Sequence, residues 1–314
     1  MQGGDRDSTS WQPWRTSGEW LRCALHAHTT ESDGELAPDL LAAHYARAGY
    51  DVLAVTDHWK RTKATAEGIL VVPGVELNCV LPGGRDGHVL GFGPRCEPAE
   101  LEALGEQYGD LESTADWIRD RGGVAYLAHP YWTGVTPGAL ELPANVTGIE
   151  VYNAGCELEV GRGLSAVHWD ELAERGRLCP AIATDDSHHP GLDSDFAWIW
   201  LRAEERTTVA VLEALERGSF YSSTGPMLRD VSCEDGHVEV ACSSCRSIVL
   251  LSGRQIGAAV NAGRLGYVHR GRVLETDGDG LVRARLEIPP SAGHVRVEVT
   301  DAAGRKAWAN PFTV

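Results

Sequence analysis

No stretch of the chain reaches eighteen consecutive apolar residues, so the sequence contains no helix able to span a bilayer. The opening residues, MQGGDRDSTSWQPWR, lack the apolar segment and small-residue cleavage site of a secretory signal, and the expectation is a cytoplasmic protein. Basic side chains are scarce: 28 against 45 acidic ones, a formal charge of −17. A surface that acidic repels polyanions, which excludes a general binder of nucleic-acid polymers. It leaves open a small phosphorylated substrate held by metal ions. The eight cysteines have no framework to belong to and read as reduced thiols. Cys242-Ser-Ser-Cys245 lacks the second close pair that a structural zinc site needs, and it sits outside the βαβ setting of a redox motif. There is no internal repeat or low-complexity tract.

What is present is ordinary globular material, 43% apolar and 23% charged, in a length that suits one large or two modest domains. Residues 1–19 carry polar, Gly and Trp residues without periodicity and read as a flexible arm. From residue 20 to 226, short apolar runs alternate with amphipathic segments. The strand candidates are Leu21–Leu25, Val52–Val55, Ile69–Val75, Val89–Phe92, Val124–Ala128, Ile149–Tyr152, Ala181–Thr184 and Ala197–Leu201. Helical spacing covers Leu36–Gly49, Ala99–Arg121, Ser165–Arg177 and Thr207–Arg217, with glycines where C-caps belong. Apolar strands alternating with helices imply an α/β fold with a parallel sheet, and eight of them favour a barrel over an open sheet. After Gly225-Pro226 the pattern becomes period-two alternation between Gly and Asp turns. Residues 227–314 therefore read as a small antiparallel, β-sandwich-like domain.

Histidines and carboxylates cluster at the ends of the strand candidates. Leu25–Gly34 reads LHAHTTESDG, and residues two apart on an extended segment face the same way, so His26 and His28 can grip one metal or two adjacent ones. Asp33 follows in the turn. VTDHWK supplies Asp57 and His58, VPGVELN supplies Glu76, GHVLGFG opens with His88, YLAHPYW carries His129, and IATDDSHH carries Asp185, Asp186, His188 and His189. In a barrel, the carboxyl ends of the strands converge on one face, where such enzymes place their chemistry. Imidazole and carboxylate suit zinc, manganese and iron, and the number of groups exceeds what one ion can bind, so two or three divalent ions are implied.

HAH followed by SDG, then TDH, GVE, AHP and DDSH, in that order, resembles the PHP (polymerase and histidinol phosphatase) superfamily over roughly residues 20–225. FYSSTGPML (Phe220–Leu228) and VRVEVTDAAGRKAWANP (Val295–Pro311) are similar to the branch named for the carbaryl hydrolase CehA and McbA. The resemblance implies a distorted, TIM-like (β/α)7-type barrel and a two- or three-metal centre of Mn, Fe or Zn. It implies as ligands His26, His28, Asp33, His58, Glu76, His88, His129, Asp186 and His188. Many histidinol phosphatases carry a histidine where Asp33 stands.

Other polar residues admit two readings each. Asp57 could orient a ligand from behind or cap its turn, and Asp185 and His189 have the same standing. Asn153 in IEVYNAG could contact substrate or satisfy backbone. Lys60, Arg61, Lys63 and Arg85 could hold a substrate anion or be solvated loop charge. Tyr131 and Trp132 could wall the pocket or pack on a neighbouring loop, and Ser187 reads as a spacer. The chemistry expected is hydrolysis of a phosphate mono- or diester by metal-bound hydroxide. Carbamate, ester or amide hydrolysis by the same hydroxide is the alternative, and a non-catalytic metal-binding interaction module the second. The expected partner is a phosphorylated small molecule, in view of the metals, and no membrane is expected.

Overall fold

A computed structural model describes residues 13–105, 108–263 and 266–314. Residues 1–12 of the expected arm lie outside the described residues. Its remaining part is packed: Trp14 stacks on Tyr221 with ring centroids 5.8 Å apart and lies 6.1 Å from Trp20.

The first two thirds of the chain run β1 (Glu19–Ala24), α1 (Pro38–Arg47), β2 (Val52–Val55), β3 (Leu70–Leu81), β4 (Arg85–Phe92), α2 (Pro98–Gly105), α3 (Leu111–Asp120), β5 (Val124–Leu127), β6 (Gly148–Asn153), α4 (Ala154–Val160), α5 (Ala166–Glu174), β7 (Ala181–Thr184), β8 (Trp198–Ala203), α6 (Thr208–Arg217) and β9 (Phe220–Ser223). The strands β2, β5 and β7 are buried at every position, which is why they read as unbroken apolar runs rather than alternations. The helices end where the sequence punctuates them. Thr207 caps α6 by accepting from the Ala210 N–H, and Gly218 closes it in the left-handed conformation at φ 70°.

Pairing is parallel along β1–β2–β3 and along β5–β6–β7. It is antiparallel at β3–β4, β4–β5 and β1–β8. The uniform parallel pattern expected from the sequence is thus broken by a hairpin. Strand β3 extends to Leu81, and only residues 82–84 separate it from β4, too few for the crossover that a parallel pair requires. Gly83 and Gly84 make the turn at φ 81° and 68°. The single helix expected over Ala99–Arg121 is two, α2 and α3; Asp110 starts the second by accepting from the Ser113 N–H at 2.9 Å. Beyond the strand ends, Ala27 bridges Ser187 in parallel, so the segments following β1 and β7 meet.

The last third adds β10 (Leu228–Glu234), β11 (His237–Cys245), β12 (Ser247–Leu251), β13 (Gly257–Asn261), β14 (Val268–His269), β15 (Gly271–Asp277), β16 (Gly280–Glu287), β17 (His294–Thr300), β18 (Lys306–Ala309) and β19 (Phe312–Thr313). Strands β10, β11, β16 and β15 form a separate antiparallel sheet. It shares a core of Val238, Val240, Ile248, Val260, Leu286 and Val297 with strands β12, β13 and β17. Those strands belong to the main sheet, which is continuous through β18–β9–β8–β1. The result is a mixed α/β fold with a parallel-rich sheet and an extra antiparallel sheet. Among the described residues, no helix is long and apolar enough to cross a membrane.

Beyond residue 226 the strands both build the second sheet and extend the main one, and their packing reaches back into the first part. Trp308 of β18 is 1% exposed and belongs to the core of the first part, with its Nε1–H donating to Glu298 at 3.0 Å. Asn310 accepts from the Ala181 N–H and donates to the carbonyls of Gly218 and Phe220. Trp308→Ala is expected to lower stability by about 3–5 kcal/mol, the cost of emptying a buried tryptophan site, and to do so in one cooperative transition. Two separated denaturation transitions, with only the second shifted, would show the two parts to be independent.

Candidate metal centre

Three segments carry the centre. The residues after β1 turn back sharply, and Asp57 holds that turn: its carboxylate accepts from the Thr29 N–H, the Thr29 hydroxyl and the Ser32 hydroxyl, each at 2.7 Å, and from the Thr62 hydroxyl. Asp57 thus fixes the loop that presents His28 and Asp33 and does not itself reach a histidine. Asp185 performs the same task on the far side, accepting from the backbone N–H groups of Asp195, Phe196 and Ala197 and from the Tyr45 hydroxyl, each at 2.9 Å. Burial pushes its pKa up to about 6. The third segment is the β3–β4 hairpin, where Glu76 pairs with Leu90 and Asn78 with His88, so Glu76 and His88 project from one face. They stand along the hairpin, not at the end of a parallel strand.

Four ligand atoms converge at the centre. His26 Nε2 lies 3.1 Å from both Glu76 Oε2 and Asp186 Oδ1, and His28 Nε2 lies 3.2 Å from the same two oxygens. All four residues are buried. His26 Nε2, His28 Nε2 and Asp186 Oδ1 have no well-formed hydrogen bond, although all three are sealed from solvent. Buried polar atoms left in that condition are costly unless something charged completes them. Glu76 turns its other oxygen outward: Oε1 is 2.9 Å from His88 Nδ1 and 3.3 Å from His129 Nε2, while His58 Nδ1 lies 3.4 Å from Oε2. A third group gathers around Asp33, whose Oδ2 is 3.5 Å from His188 Nε2 and 3.6 Å from His58 Nε2. The donor set, imidazole nitrogen and carboxylate oxygen in three adjoining groups, fits two or three divalent ions.

The orientation of His26 comes from a residue that the sequence motifs do not name. Glu150, fully buried in β6, accepts from His26 Nδ1 at 2.9 Å and from the Thr184 hydroxyl at 2.5 Å. Its other oxygen accepts from the His129 backbone N–H at 2.8 Å and from Asn153 Nδ2 at 2.9 Å. With its proton on Nδ1, His26 presents a lone pair at Nε2, the atom aimed at the convergence point. The available signal was a carboxylate inside an otherwise apolar strand, IEVY. Asn153 is also buried and does not line the cavity; it links Glu150 to Asp186 Oδ2 at 3.0 Å.

A cavity of about 600 Å³ opens onto these groups, walled by Trp132, Leu158, Glu159, Leu192 and Asp193, with His189 at the rim. The Trp132 ring lies 5.0 Å from that of His129. Lys60 and Arg85 do not line it. Lys60 pairs with Glu31 at 3.7 Å and faces a second cavity with Arg61 and Lys63, and Arg85 is an exposed residue at the start of β4. Among the described residues, no lysine or arginine borders the main cavity. Ser187 is buried and donates to Asp193 at 2.7 Å, which occupies the hydroxyl.

Charge at the centre is balanced by protons when no cation is present. Burial disfavours a charged His28, but the close carboxylates of Asp186 and Glu76 win and hold its pKa up at about 9. His26 is raised in the same way, burial again opposing and Asp186 the largest favourable charge. Burial likewise opposes ionised Glu76 and Asp186, yet the imidazoles around them, His26 foremost, hold both well below the carboxylate range. Burial keeps His58 below its ordinary value.

The chain was compared with known proteins. No family model and no curated protein matches it. A crystal structure from Bacteroides vulgatus, described as a two-domain protein containing a predicted PHP-like metal-dependent phosphoesterase, superposes with a TM-score of 0.53 at 18% identity, covering 100% of this chain and 97% of that one. This likeness shows a shared fold. An amidohydrolase from Chromobacterium violaceum, with bound sulfate and no metal, matches at 20% identity over 55% of this chain and 89% of its own, with a TM-score of 0.38.

Two expectations follow from the geometry. Glu150→Ala should weaken metal binding by about 10–100-fold, as measured by competition with a chelating indicator, because His26 loses the partner that fixes its tautomer; unchanged affinity would contradict that role. The chelated protein should also lose stability in base. A histidine raised from 6.5 to about 9 on folding stabilises fully below pH 6.5, and that contribution is lost as pH rises through about 9. Thermal melts of chelated protein should show a falling midpoint across that window. Metal-loaded protein should not follow, since a bound cation replaces the protons.

Proposed function

We propose that the chain is a metal-dependent phosphoesterase acting on a small-molecule phosphate mono- or diester. The observation that carries this reading is the convergence of sealed, unpartnered His26 Nε2, His28 Nε2 and Asp186 Oδ1 on Glu76, whose second oxygen serves a neighbouring group of histidines. In this reading His26, His28, Glu76 and Asp186 hold one ion. Glu76, His58 and His88 hold a second, with His129 beside them, and Asp33 with His188 forms a third group. The seven strands β1–β7, tied by the Ala27–Ser187 bridge, are read as the distorted barrel that brings these ends together.

Divalent ions bound there would supply hydroxide from water near neutral pH and positive charge for the oxygens of a phosphoryl group. The chain's own part is placement. Glu150 keeps the proton on His26 Nδ1, and the Asp186 carbonyl accepts from His188 Nδ1 at 3.0 Å, so both histidines offer Nε2 inward. Asp193 accepts from the backbone N–H groups of His188 and His189 at 2.8 Å and holds the rim in shape. Trp132, Leu158 and Leu192 give the cavity apolar walls. No side chain is required as nucleophile. The formal charge of −17 argues against a nucleic-acid polymer as substrate.

One observation favours a second reading, hydrolysis of a carbamate, ester or amide. Among the described residues the main cavity carries no lysine or arginine, while three of its walls are apolar. Any phosphoryl charge would then be met by the ions alone. The purified protein should be loaded in turn with Mn²⁺, Fe²⁺ and Zn²⁺ and assayed on phosphate esters and on neutral carbamates and esters. Phosphoesterase activity, inhibited competitively by inorganic phosphate, is expected. Efficient cleavage of a neutral carbamate, insensitive to millimolar-range phosphate and with negligible phosphate-ester turnover, would transfer the assignment to the second reading.

A further inference from the structure

One side chain facing the centre belongs to no histidine or carboxylate motif. Cys156 is 4% exposed and borders the main cavity. Its thiol, a donor atom of His129 and an oxygen of Asp186 all lie within 4.8 Å of one another. Nitrogen and sulfur donors sharing one tetrahedral zinc ion at about 2.0 and 2.3 Å stand about 3.5 Å apart, so the trio closes on an ion with shifts of up to about 1.3 Å.

The local sequence Asn153-Ala-Gly-Cys156 builds this placement. Asn153 caps α4 by accepting from the Cys156 N–H at 2.9 Å, and its amide donates to Asp186 Oδ2 at 3.0 Å. One side chain thus fixes Cys156 relative to Asp186 and leaves Asp186 Oδ1, which is unpartnered, turned into the cluster. Gly155 lets the start of the helix approach. A Cβ there would stand 3.0 Å from the Asp186 carbonyl oxygen and 3.3 Å from that of Asp185, while the Gly155 N–H donates to Asp185 at 2.8 Å. His129 itself is 3% exposed, and its Nδ1 has no hydrogen-bond partner.

We propose that Cys156 is a metal ligand, forming with His129 and Asp186 a subsite with a sulfur donor beside the nitrogen and oxygen groups. The thiol proton is released to solvent on coordination, and the sulfur lone pair fills the metal's vacant position; nothing is oxidised. A thiolate makes this subsite favour softer ions, zinc or cadmium, over manganese. The inference rests on the cluster holding metals and is independent of which ester is cleaved.

The test is cobalt substitution of the full chain, followed by absorption spectroscopy. Visible d–d bands report Co²⁺ bound to any ligand set, and a near-ultraviolet sulfur-to-cobalt charge-transfer band reports a thiolate ligand. Wild type should show both, and Cys156→Ser should keep the d–d bands while losing the charge-transfer band. Because Cys242 and Cys245 are a close thiol pair elsewhere in the chain, C242S/C245S should retain it. Competition with Cd²⁺ gives a second readout, with Cys156→Ser expected to bind cadmium at least tenfold more weakly relative to Mn²⁺. Loaded wild type with d–d bands and no charge-transfer band, or a band surviving Cys156→Ser, overturns the inference alone. The absence of d–d bands overturns it together with the metal centre.

Discussion

Everything at the strand ends depends on burying the carboxylates of Glu76, Glu150 and Asp186 within reach of one another. Three such groups cannot all remain ionised in a sealed site without compensating positive charge. Glu150 meets its need with hydrogen bonds: the His26 ring, a threonine hydroxyl, an asparagine amide and one backbone N–H. Glu76 has only imidazoles, and Asp186 adds to them a single asparagine amide on Oδ2, its Oδ1 having no well-formed hydrogen bond. The fold at this end is therefore complete only with protons on the histidines or cations among them. That condition explains the opposed pKa directions at the centre better than any single ion pair does.

The architecture serves this constraint. Parallel strands bring the HAH, AHP and DDSH segments to one end, and the bridge between Ala27 and Ser187 ties the first of these to the last. The β3–β4 hairpin departs from the parallel pattern and thereby sets Glu76 between the histidine groups. A parallel strand presents its residues to a centre mainly from its tip. A hairpin running past the centre can present Glu76 and His88 side by side. Among the described residues, the strands after residue 226 place nothing in the cavity; through Trp308 and Asn310 they complete the wall behind β7 and β9.

Much of this was legible in the sequence, for physical reasons. Buried strands have to be apolar throughout, so β2, β5 and β7 stood out, and histidines at their ends were conspicuous against that background. The hairpin was less visible because β3 is long and only partly apolar, so the strand candidate stopped at Val75. Glu150 was hidden by its setting: a lone carboxylate in an apolar run looks like an interruption unless its partner, 124 residues away, is known. Asn153, Lys60 and Arg85 show the converse. Their residue types suit substrate contact, yet Asn153 is sealed behind the cluster while Lys60 and Arg85 sit outside the cavity. Which side of a strand end a polar side chain faces is decided by tertiary packing, and spacing alone does not encode it. Cys156 was passed over because one cysteine in a helix start carries no motif.

The central claim is that cations occupy the gaps between these buried groups. The most direct measurement is anomalous diffraction from crystals grown with Zn²⁺ or Mn²⁺, recorded on both sides of the metal's absorption edge. The account predicts a peak bounded by His26, His28, Glu76 and Asp186, and at least one more on the side of Glu76 that faces His88 and His129. Crystals of folded protein grown with ample metal, showing no anomalous peak at the cluster, would contradict it.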